Sequence, residues 1–244
     1  MTAAEFKEYV LVTYDSIANS AAPGYEDDEI NIFLNVAQED YVKSLYNENS
    51  NLGRVGFEET EKRSKDLSEL KRFEDITVST SPANHGSDSL FVNLPDNYLL
   101  TVNEEATISF TSCGATASER VPVKPIREDY YNANAKNPYK RPDNGLVWRI
   151  DASRTDNTLP ITSTNKKRHE LVLGTGSTFN TYHLSYIQYP KSIDVSDSSN
   201  LVGFCELDPS THRAIADMAV QYMLEAARQP RFQTNVFKES RVVE

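Results

Sequence analysis

The sequence contains no long apolar run and no recognisable leader. No stretch approaches the ~18 apolar residues that a membrane-spanning helix needs. The first residues, MTAAEFKEYV, lack the basic segment followed by an apolar segment that marks a secretory signal. We therefore expect a chain without a membrane segment that is synthesised in the cytosol.

Cysteine and histidine are scarce, with two and four copies in 244 residues. Cys113 and Cys205 are expected to be free, buried thiols because a reducing compartment disfavours disulfides, although a disulfide between them stays open. The histidines have neither His-x-x-x-His spacing nor a Cys-x-x-Cys partner, so we expect no metal site. His212 is expected at the surface or in an interface. The histidines are His85, His169, His183 and His212.

The motifs that accompany catalysis and cofactor binding are also missing. Residues 174–177 (GTGS) resemble part of a phosphate loop, but the Gly-Lys-Ser/Thr that should follow is absent, and a hairpin turn explains them better. The Gly-x-Ser-x-Gly turn of serine hydrolases does not occur. We therefore expect no catalytic residues and no cofactor, and an enzyme is the least favoured class of function.

Positive charge is in deficit: 25 Lys and Arg stand against 36 Asp and Glu, a net charge of −11. Tight binding to the phosphate backbone needs clustered cations, so the composition disfavours it. An acidic surface instead lets DNA pass without sticking. The run 26–29 (EDDE) is expected to complement a helix dipole, since its spacing does not match a calcium loop.

Both ends of the chain show helical periodicity. Thr2 and Glu5 form a capping-box pattern for a first helix that ends near residue 17. Further helices are predicted at 26–47, 57–70 and 208–228, the last beginning with Asp208 as cap and Pro209 at the first position. The predicted apolar face of the last helix consists of Ile215, Met218, Ala219, Tyr222, Met223 and Ala226.

The intervening residues, 76–205, have the texture of short strands separated by turns. Residues 121–125 carry two prolines, which cannot donate to a ladder, so this stretch is expected to be an edge strand or an extended arm. The last two strands are expected to pair in antiparallel fashion across 174–180. The predicted strands are 90–94, 98–102, 106–110, 145–151 with the single tryptophan, 169–173 and 182–189.

These elements predict an α+β fold in which N- and C-terminal helices form an α-helical bundle and an antiparallel β-rich domain is inserted between them. The predicted division is an N-terminal helical part at 1–75, the β-rich domain at 76–205, a C-terminal helix at 206–230 and an extended tail at 231–244.

Two stretches, residues 130–141 and the tail from residue 231, are candidates for an interface between subunits. Tyrosine and arginine are enriched in interfaces because they bury a large area and keep a polar end, and an apolar tail must pack somewhere. The alternative is that the tyrosines cover a domain edge in the same chain and that the tail packs on its own body. The candidate residues are Tyr130, Tyr131, Tyr139, Arg141, Arg231, Phe232, Val236 and Phe237.

The C-terminal sequence resembles that of tailed-phage structural proteins in three segments, 204–212 (FCELDPSTH), 215–220 (IADMAV) and 229–233 (QPRFQ). Residues 94–98 (LPDNY), after the helical pair, are similar in style. The chain most resembles the neck and tail-barrel ring proteins, or head–tail connectors, of crAss-like phages. More distantly it is similar to the tail-tube adaptors of short-tailed phages.

The resemblance implies a virion protein of the neck or tail that is present in the host cytoplasm during assembly. It implies a ring of about twelve identical copies below the portal, next to other ring proteins, around a channel that DNA crosses without specific binding. The family supplies no catalytic residues. The alternative function is an oligomeric binding module whose β domain recognises a glycan or a protein.

Overall fold

The computed structural model of the chain describes residues 1–18, 24–46, 61–80, 83–112, 114–152, 167–196 and 205–227. The chain divides into two compact units. We call residues 1–70 with 189–244 the helical unit, and residues 71–188 the sheet unit. The domain boundaries predicted at 75, 205 and 230 stay a prediction.

The first helix begins as the sequence predicts. The backbone amide of Thr2 donates to Glu5 Oε2 (2.8 Å), and the amide of Glu5 donates to Thr2 Oγ1 (3.3 Å), which completes the capping box. Five helices lie in the described residues: α1 (Ala3–Ile17), α2 (Asp27–Tyr46), α3 (Glu61–Ser68), α4 (Glu128–Asn134) and α5 (His212–Ala226).

The core of the helical unit forms where α5 packs against α1 and α2. The packing side chains recur at helical spacing on one face of each helix, and they are fully buried. This fixes α5 from two sides. The fully buried residues include Phe6 and Val10 of α1, Ile30 and Leu34 of α2, and Ile215 and Ala219 of α5.

Two asparagines of α2 hold the segment 193–195. The Asn35 side chain accepts from the amide of Ile193 (2.7 Å) and donates to its carbonyl (3.0 Å). One turn earlier, Asn31 Oδ1 accepts from the amide of Val195 (2.8 Å). The amides therefore replace a neighbouring strand, and Ile193 and Val195 become buried.

The start of α5 differs from the prediction. Asp208 and Pro209 lie in a turn rather than at the cap, because the Asp208 carbonyl accepts from the Thr211 amide (2.9 Å) and its carboxylate from the Ser210 amide (2.8 Å). The helix begins at His212, which is buried and not at the surface.

The predicted apolar face of α5 is also partly wrong. Of the predicted residues, Met218 and Tyr222 are half-buried and Ala226 is exposed. Packing against two helices widens and rotates the buried face beyond a single stripe. The buried residues of α5 are His212, Ile215, Ala216, Ala219, Val220, Met223 and Leu224.

The sheet unit contains one eight-stranded sheet, in the order β1-β8-β4-β5-β6-β7-β3-β2. All neighbouring strands are antiparallel except β5 and β6, which are parallel. The strands are β1 (Lys71–Ile76), β2 (Ser79–Thr80), β3 (Ser89–Asn93), β4 (Tyr98–Ser112), β5 (Ala115–Pro125), β6 (Val147–Ala152), β7 (Arg168–Val172) and β8 (Thr178–Gln188).

Strand β5 lies inside the sheet, so the prediction of an edge strand at 121–125 is wrong. Residues 115–122 pair with β4, and residues 123–125 pair with β6. The strand changes partner just after Pro122, and Pro125 ends the second pairing. Each proline therefore stands at the limit of a ladder, where a missing N–H costs least.

The predicted pairing of the last two strands is also wrong. Strand β7 pairs with β3 and β6, whereas β8 pairs with β1 and β4. The two predicted strands at 98–102 and 106–110 form the single long strand β4. Local alternation identifies strands but not their partners, because partners are set by contacts distant in sequence.

The predicted fold class is therefore wrong. The fold is α+β overall, but it is built on an eight-stranded mixed sheet with five helices in the described residues, and it is not a helical bundle carrying an inserted antiparallel domain. The helix α4 belongs to the sheet unit and connects its two parallel strands. Which strands pair in parallel depends on contacts distant in sequence, so the local patterns did not identify β5 and β6 as partners.

Candidate assembly surface

Helix α4 connects the two parallel strands β5 and β6, as a parallel pair requires a crossover. It covers a small apolar cluster on the outer face of the sheet, formed by Trp148, Ile150 and Val172. Ile126 and Tyr131 pack on this cluster from the α4 side. The crossover thus places the predicted tyrosines over the sheet.

The two adjacent tyrosines of α4 have different surroundings. The hydroxyl of Tyr131 donates to the carbonyl of His85 (2.9 Å), and the two rings lie 4.3 Å apart. Burial, with the charges of Glu170 and Asp88, raises the pKa of Tyr131. Tyr131 is therefore used inside its own chain.

Tyr130 packs edge-on against Trp148 at 5.7 Å, and Lys124 Nζ lies 5.7 Å from its ring centroid. The residue is still 37% exposed. Part of the Tyr130 side chain is therefore open to solvent.

Tyr139 is the most exposed tyrosine in the described residues, at 95%. It is held on an ordered turn centred on Asn137. The Asn137 side chain accepts from the Tyr139 amide (3.0 Å), and its carbonyl accepts from the amides of Lys140 (3.1 Å) and Arg141 (3.0 Å). The backbone therefore fixes the position at which the exposed ring projects.

Cations surround this turn. Residues 124–141 contain five cationic and two acidic side chains in a chain whose net charge is −11. We call the exposed residues of the turn the tyrosine patch: Lys136, Pro138, Tyr139, Lys140 and Arg141. The tail residues Arg231, Phe232, Val236 and Phe237, and also Cys113, lie outside the residues that the structure describes.

A second exposed surface was missed at the sequence level. On α2, Ile32 is 63% exposed and Val36 is 45% exposed, on the side opposite the buried Ile30 and Leu34. The acidic Asp28 precedes Ile32 by one helical turn. We call Asp28, Glu29, Ile32 and Val36 the α2 stripe. The signal in the sequence was two β-branched residues that do not fit the core face of α2.

A buried polar network joins one half of the sheet, which contains β1, β8 and β4, to the other half, which contains β6, β7, β3 and β2. No motif in the sequence predicted this network. Glu104 Oε1 lies 3.1 Å from Arg149 Nη1, and Glu104 Oε2 accepts from the Tyr182 hydroxyl (2.8 Å). His169 Nδ1 lies 3.0 Å from the same hydroxyl, and its Nε2 lies 3.2 Å from Arg149 Nη1. The four residues come from β4, β6, β7 and β8.

The electrostatics of the network fix its protons. Burial and the nearby Arg149 lower the pKa of His169 to about 3, so its ring is neutral. Neutral His169 can donate from Nδ1 to the Tyr182 oxygen and accept from Arg149 at Nε2. Burial raises the pKa of Glu104, while Arg149 and the Tyr182 hydroxyl oppose that shift. The network is therefore a structural link between strands and not a set of groups poised for proton transfer, and within it Arg149 Nε is buried without a hydrogen-bond partner among the described residues.

One cross-strand chain has the order of a nucleophile, a base and an acid. Thr107 Oγ1 lies 2.8 Å from His183 Nε2, and His183 Nδ1 contacts Asp75 Oδ1. Strand β4 is paired on both sides at Thr107, so the backbone amides that would stabilise an oxyanion are engaged in the sheet. This arrangement joins three strands and is poorly built for acyl transfer.

The helical unit contains a cavity of about 440 Å³ near the start of α1, lined by Glu5, Glu69, Glu206, Asp208 and Cys205 among others. Burial raises the pKa of the Cys205 thiol to about 11, so this free cysteine is a weak nucleophile. Among the described residues, no three His, Cys, Asp or Glu side chains are grouped to hold a metal ion. The helices described here are each too short or too polar to cross a bilayer.

Comparison with known proteins gives a consistent result across almost the whole chain. A family model described as "Phage tail ring protein 3/4" matches residues 1–235. "Ring protein 4/5" of Bacteroides phage crAss001 is 28% identical over 249 residues, covering 97% of this chain and 97% of that protein. "Ring protein 3" of the same phage is 26% identical over 230 residues, covering 91% of this chain and 94% of that protein. The resemblance seen in the sequence is thus confirmed, and the chain belongs to the phage tail ring protein 3/4 family of crAss-like phages.

Proposed function

We propose that this chain is a structural subunit of a ring in the neck or tail of the virion. The family match over residues 1–235 carries the proposal, because it spans both units rather than one shared motif. Ring subunits work through shape and contacts, so the residues to seek are exposed anchors for neighbouring copies and not a catalytic centre.

The geometry supports that role through the surfaces it leaves open. A closed ring needs two different patches on each copy, because every subunit meets its neighbours head to tail. The exposed Tyr139 and Arg141, with part of Tyr130, offer one such patch. The sequence adds Arg231, Phe232, Val236 and Phe237 of the tail, which lie outside the described residues, as further candidates. We propose that these residues contribute to the subunit interface.

The finer features follow from the resemblance and from charge. We propose about twelve copies, in contact with the portal and with other ring proteins, around a lumen that DNA crosses without specific binding. The net charge of −11 per chain supports this, since an acidic lumen keeps DNA mobile, with screening beyond about 10 Å. A lumen lined mainly by Lys and Arg would contradict it.

Light scattering and electron microscopy of the purified chain, alone and with the portal protein of its phage, test the proposal. The expected result is a closed ring whose mass is a multiple of 27.5 kDa. A chain that stays monomeric in both samples overturns the proposal. A sugar-dependent rise in melting temperature of such a monomer would favour the glycan-binding module instead.

Truncation after residue 228 tests the tail separately. Loss of rings in the truncated chain, with an unchanged melting temperature, supports a tail that bridges copies. Rings of unchanged stability would remove Arg231, Phe232, Val236 and Phe237 from the interface.

A further inference from the structure

We infer that the tyrosine patch of one copy docks on the α2 stripe of the adjacent copy. In this contact the ring of Tyr139 packs across Ile32 and Val36, and the cations of the patch lie beside Asp28 and Glu29. The inference rests on the proposed ring function, since it names the surfaces by which neighbouring copies meet.

The tyrosine patch has the properties of a preorganised anchor. Tyr139 is 95% exposed, yet three backbone amides donate to Asn137 and order the turn that carries it. An ordered turn loses little conformational entropy on binding, and tyrosine buries a large area while keeping a polar end. Such a side chain is a typical hot-spot residue.

The α2 stripe has the shape and chemistry to receive that ring. Ile32 and Val36 are one helical turn apart, so their Cβ atoms lie about 5–6 Å from each other, close to the span of one aromatic ring. Asp28, a turn before Ile32, continues the same row, and Glu29 flanks it. An apolar pair bordered by carboxylates matches an aromatic bordered by cations.

Charge decides how these surfaces can combine. Two tyrosine patches facing each other would place Lys136, Lys140 and Arg141 against the same cations, and two α2 stripes would place carboxylates against carboxylates. Of these three pairings, only that of a tyrosine patch with an α2 stripe brings opposite charges together. That pairing joins different surfaces of two copies, so it is heterologous and can repeat around a ring.

The charge of the tyrosine patch also suits a second copy of the chain better than it suits DNA. Binding to a duplex needs a long basic surface, and the patch has only three cations on one turn. The proposed contact is one part of a larger interface, because a stable interface buries about 800 Å² on each partner and three side chains cannot supply that.

Charge reversal provides the first test. We compare the wild-type chain with Lys136→Glu/Lys140→Glu/Arg141→Glu, with Asp28→Lys/Glu29→Lys, and with a variant carrying both sets. Each set alone is expected to raise the concentration needed for ring formation about tenfold or more, because like charges then meet. The combined variant is expected to recover most of the loss.

Matched single changes separate this contact from general damage. Ile32→Glu is expected to reduce ring formation, whereas Val12→Glu, on α1 and similarly exposed at 62%, is expected to leave it unchanged. Tyr139→Phe is expected to assemble as the wild type does, and Tyr139→Ala is expected to need about tenfold more protein for ring formation, with both melting as the wild type does.

Cross-linking identifies the partner surface directly. A photo-reactive p-benzoylphenylalanine replaces Tyr139, and rings are assembled from equal amounts of ¹⁴N and ¹⁵N chains, with and without duplex DNA. The expected product is a mixed-isotope cross-link from position 139 to a peptide containing Ile32 and Val36. Cross-links to DNA, to another surface or only within one chain overturn the inference.

The outcomes also distinguish the two proposals. If the wild-type chain forms no ring with or without the portal protein, the proposed function fails, and this inference fails with it. If wild-type rings form and both charge-reversed variants assemble equally well, the ring stands and the patch–stripe contact is wrong. A cross-link from the 231–244 tail to α2 would show that the tail occupies the stripe instead.

Discussion

The two units bury different kinds of polar group. The sheet unit encloses an ion pair, Glu104 with Arg149, together with His169 and Tyr182 in the space between its two halves. The helical unit buries single polar side chains instead, including Gln38, Asp66 and His212, while tyrosine hydroxyls link α5 to its neighbours at the rim. A buried charge depends on its counter-charge, because losing one partner leaves the other uncompensated, whereas a rim hydrogen bond can be replaced by water.

The rim links of the helical unit are mostly tyrosine hydroxyls. Tyr9 donates to Asp217 (2.7 Å), Tyr222 donates to Asp40 (2.9 Å), and Tyr25 donates to the carbonyl of Met223 (2.9 Å). Each joins α5 to α1, to α2 or to the segment before α2. Single polar substitutions should therefore lower the free energy of unfolding most in the sheet unit.

The chain provides separate probes for the two units. Trp148 is the only tryptophan and is buried in the sheet unit, so its fluorescence reports on that unit. Far-UV circular dichroism at 222 nm is dominated by the long helices of the helical unit. If the two units unfold separately, a variant in one unit should change the unfolding midpoint of its own signal more than that of the other signal.

The largest expected effect is in the buried network. Arg149→Met removes the cation and leaves Glu104 buried without its counter-charge. The free energy of unfolding, measured by Trp148 fluorescence, should therefore fall by roughly 3–5 kcal/mol. The control is Asp151→Asn, whose side chain is 80% exposed and lies 3.5 Å from Arg149. The control should lose less than about 1 kcal/mol. Equal losses for both variants would contradict the importance of the buried pair.

The next effect is in the helical unit, at the asparagine that holds segment 193–195. Asn35→Ala removes two hydrogen bonds to Ile193 and should cost about 2–3 kcal/mol in denaturant unfolding followed at 222 nm. Val36→Ala, one residue along on the exposed side of α2, should change stability by less than about 0.5 kcal/mol. A cost for Asn35→Ala as small as that of its neighbour would show that water replaces the lost bonds.

The pH dependence of the sheet unit should follow His169. Its pKa is about 3 in the folded chain against an ordinary value of 6.5, so the unfolded chain binds the proton more readily between those values. Stability from this group is present above pH 6.5 and is lost as the pH falls towards 3. Between pH 7.5 and pH 5 the loss should be about 2 kcal/mol.

His169→Gln removes this titration while keeping a hydrogen-bonding side chain. The raised pKa of Glu104 acts in the opposite direction but is present in both proteins, so the difference between wild type and variant isolates His169. Parallel stability curves for the two proteins from pH 7.5 to 5 would show that His169 is not held neutral.

The smallest effect should be at the rim of α5. Tyr9→Phe keeps the ring and removes the hydroxyl that donates to Asp217 and accepts from Arg213 Nε at 3.0 Å, so the cost should be about 1 kcal/mol. Chemical denaturation at 222 nm measures it. A loss of stability as large as that of Arg149→Met would contradict the expected difference between a hydrogen bond at the rim and a buried ion pair.

Local signals in the sequence predicted local structure well. The capping box of Thr2 and Glu5 acts within one turn, so the start of α1 was predicted correctly. At α5 the local signal misled, since Asp208 and Pro209 suit either a helix cap or the turn that the chain forms. The choice between them depends on packing around His212, which the local sequence does not contain.

Long-range features could not be predicted from the same patterns. Glu104, Arg149, His169 and Tyr182 lie at inward positions of four strands, but only the strand order brings them together. Of the predicted interface residues, Tyr139 and Arg141 are exposed, whereas Tyr131 is used within its chain, and the interface itself stays a prediction. The α2 stripe became visible only when the buried face of α2 was known.

Strand β5 has a mechanical consequence. Within the described residues, backbone hydrogen bonds connect the half of the sheet containing β1, β8 and β4 to the other half only through β5, and its parallel ladder to β6 spans just 123–125. Side-chain packing between the halves resists compression but slides readily under shear. Among the backbone hydrogen bonds, a load that pulls the two halves past each other would therefore fall on these three residue pairs, with the Glu104–Arg149 ion pair as a side-chain link between the same halves.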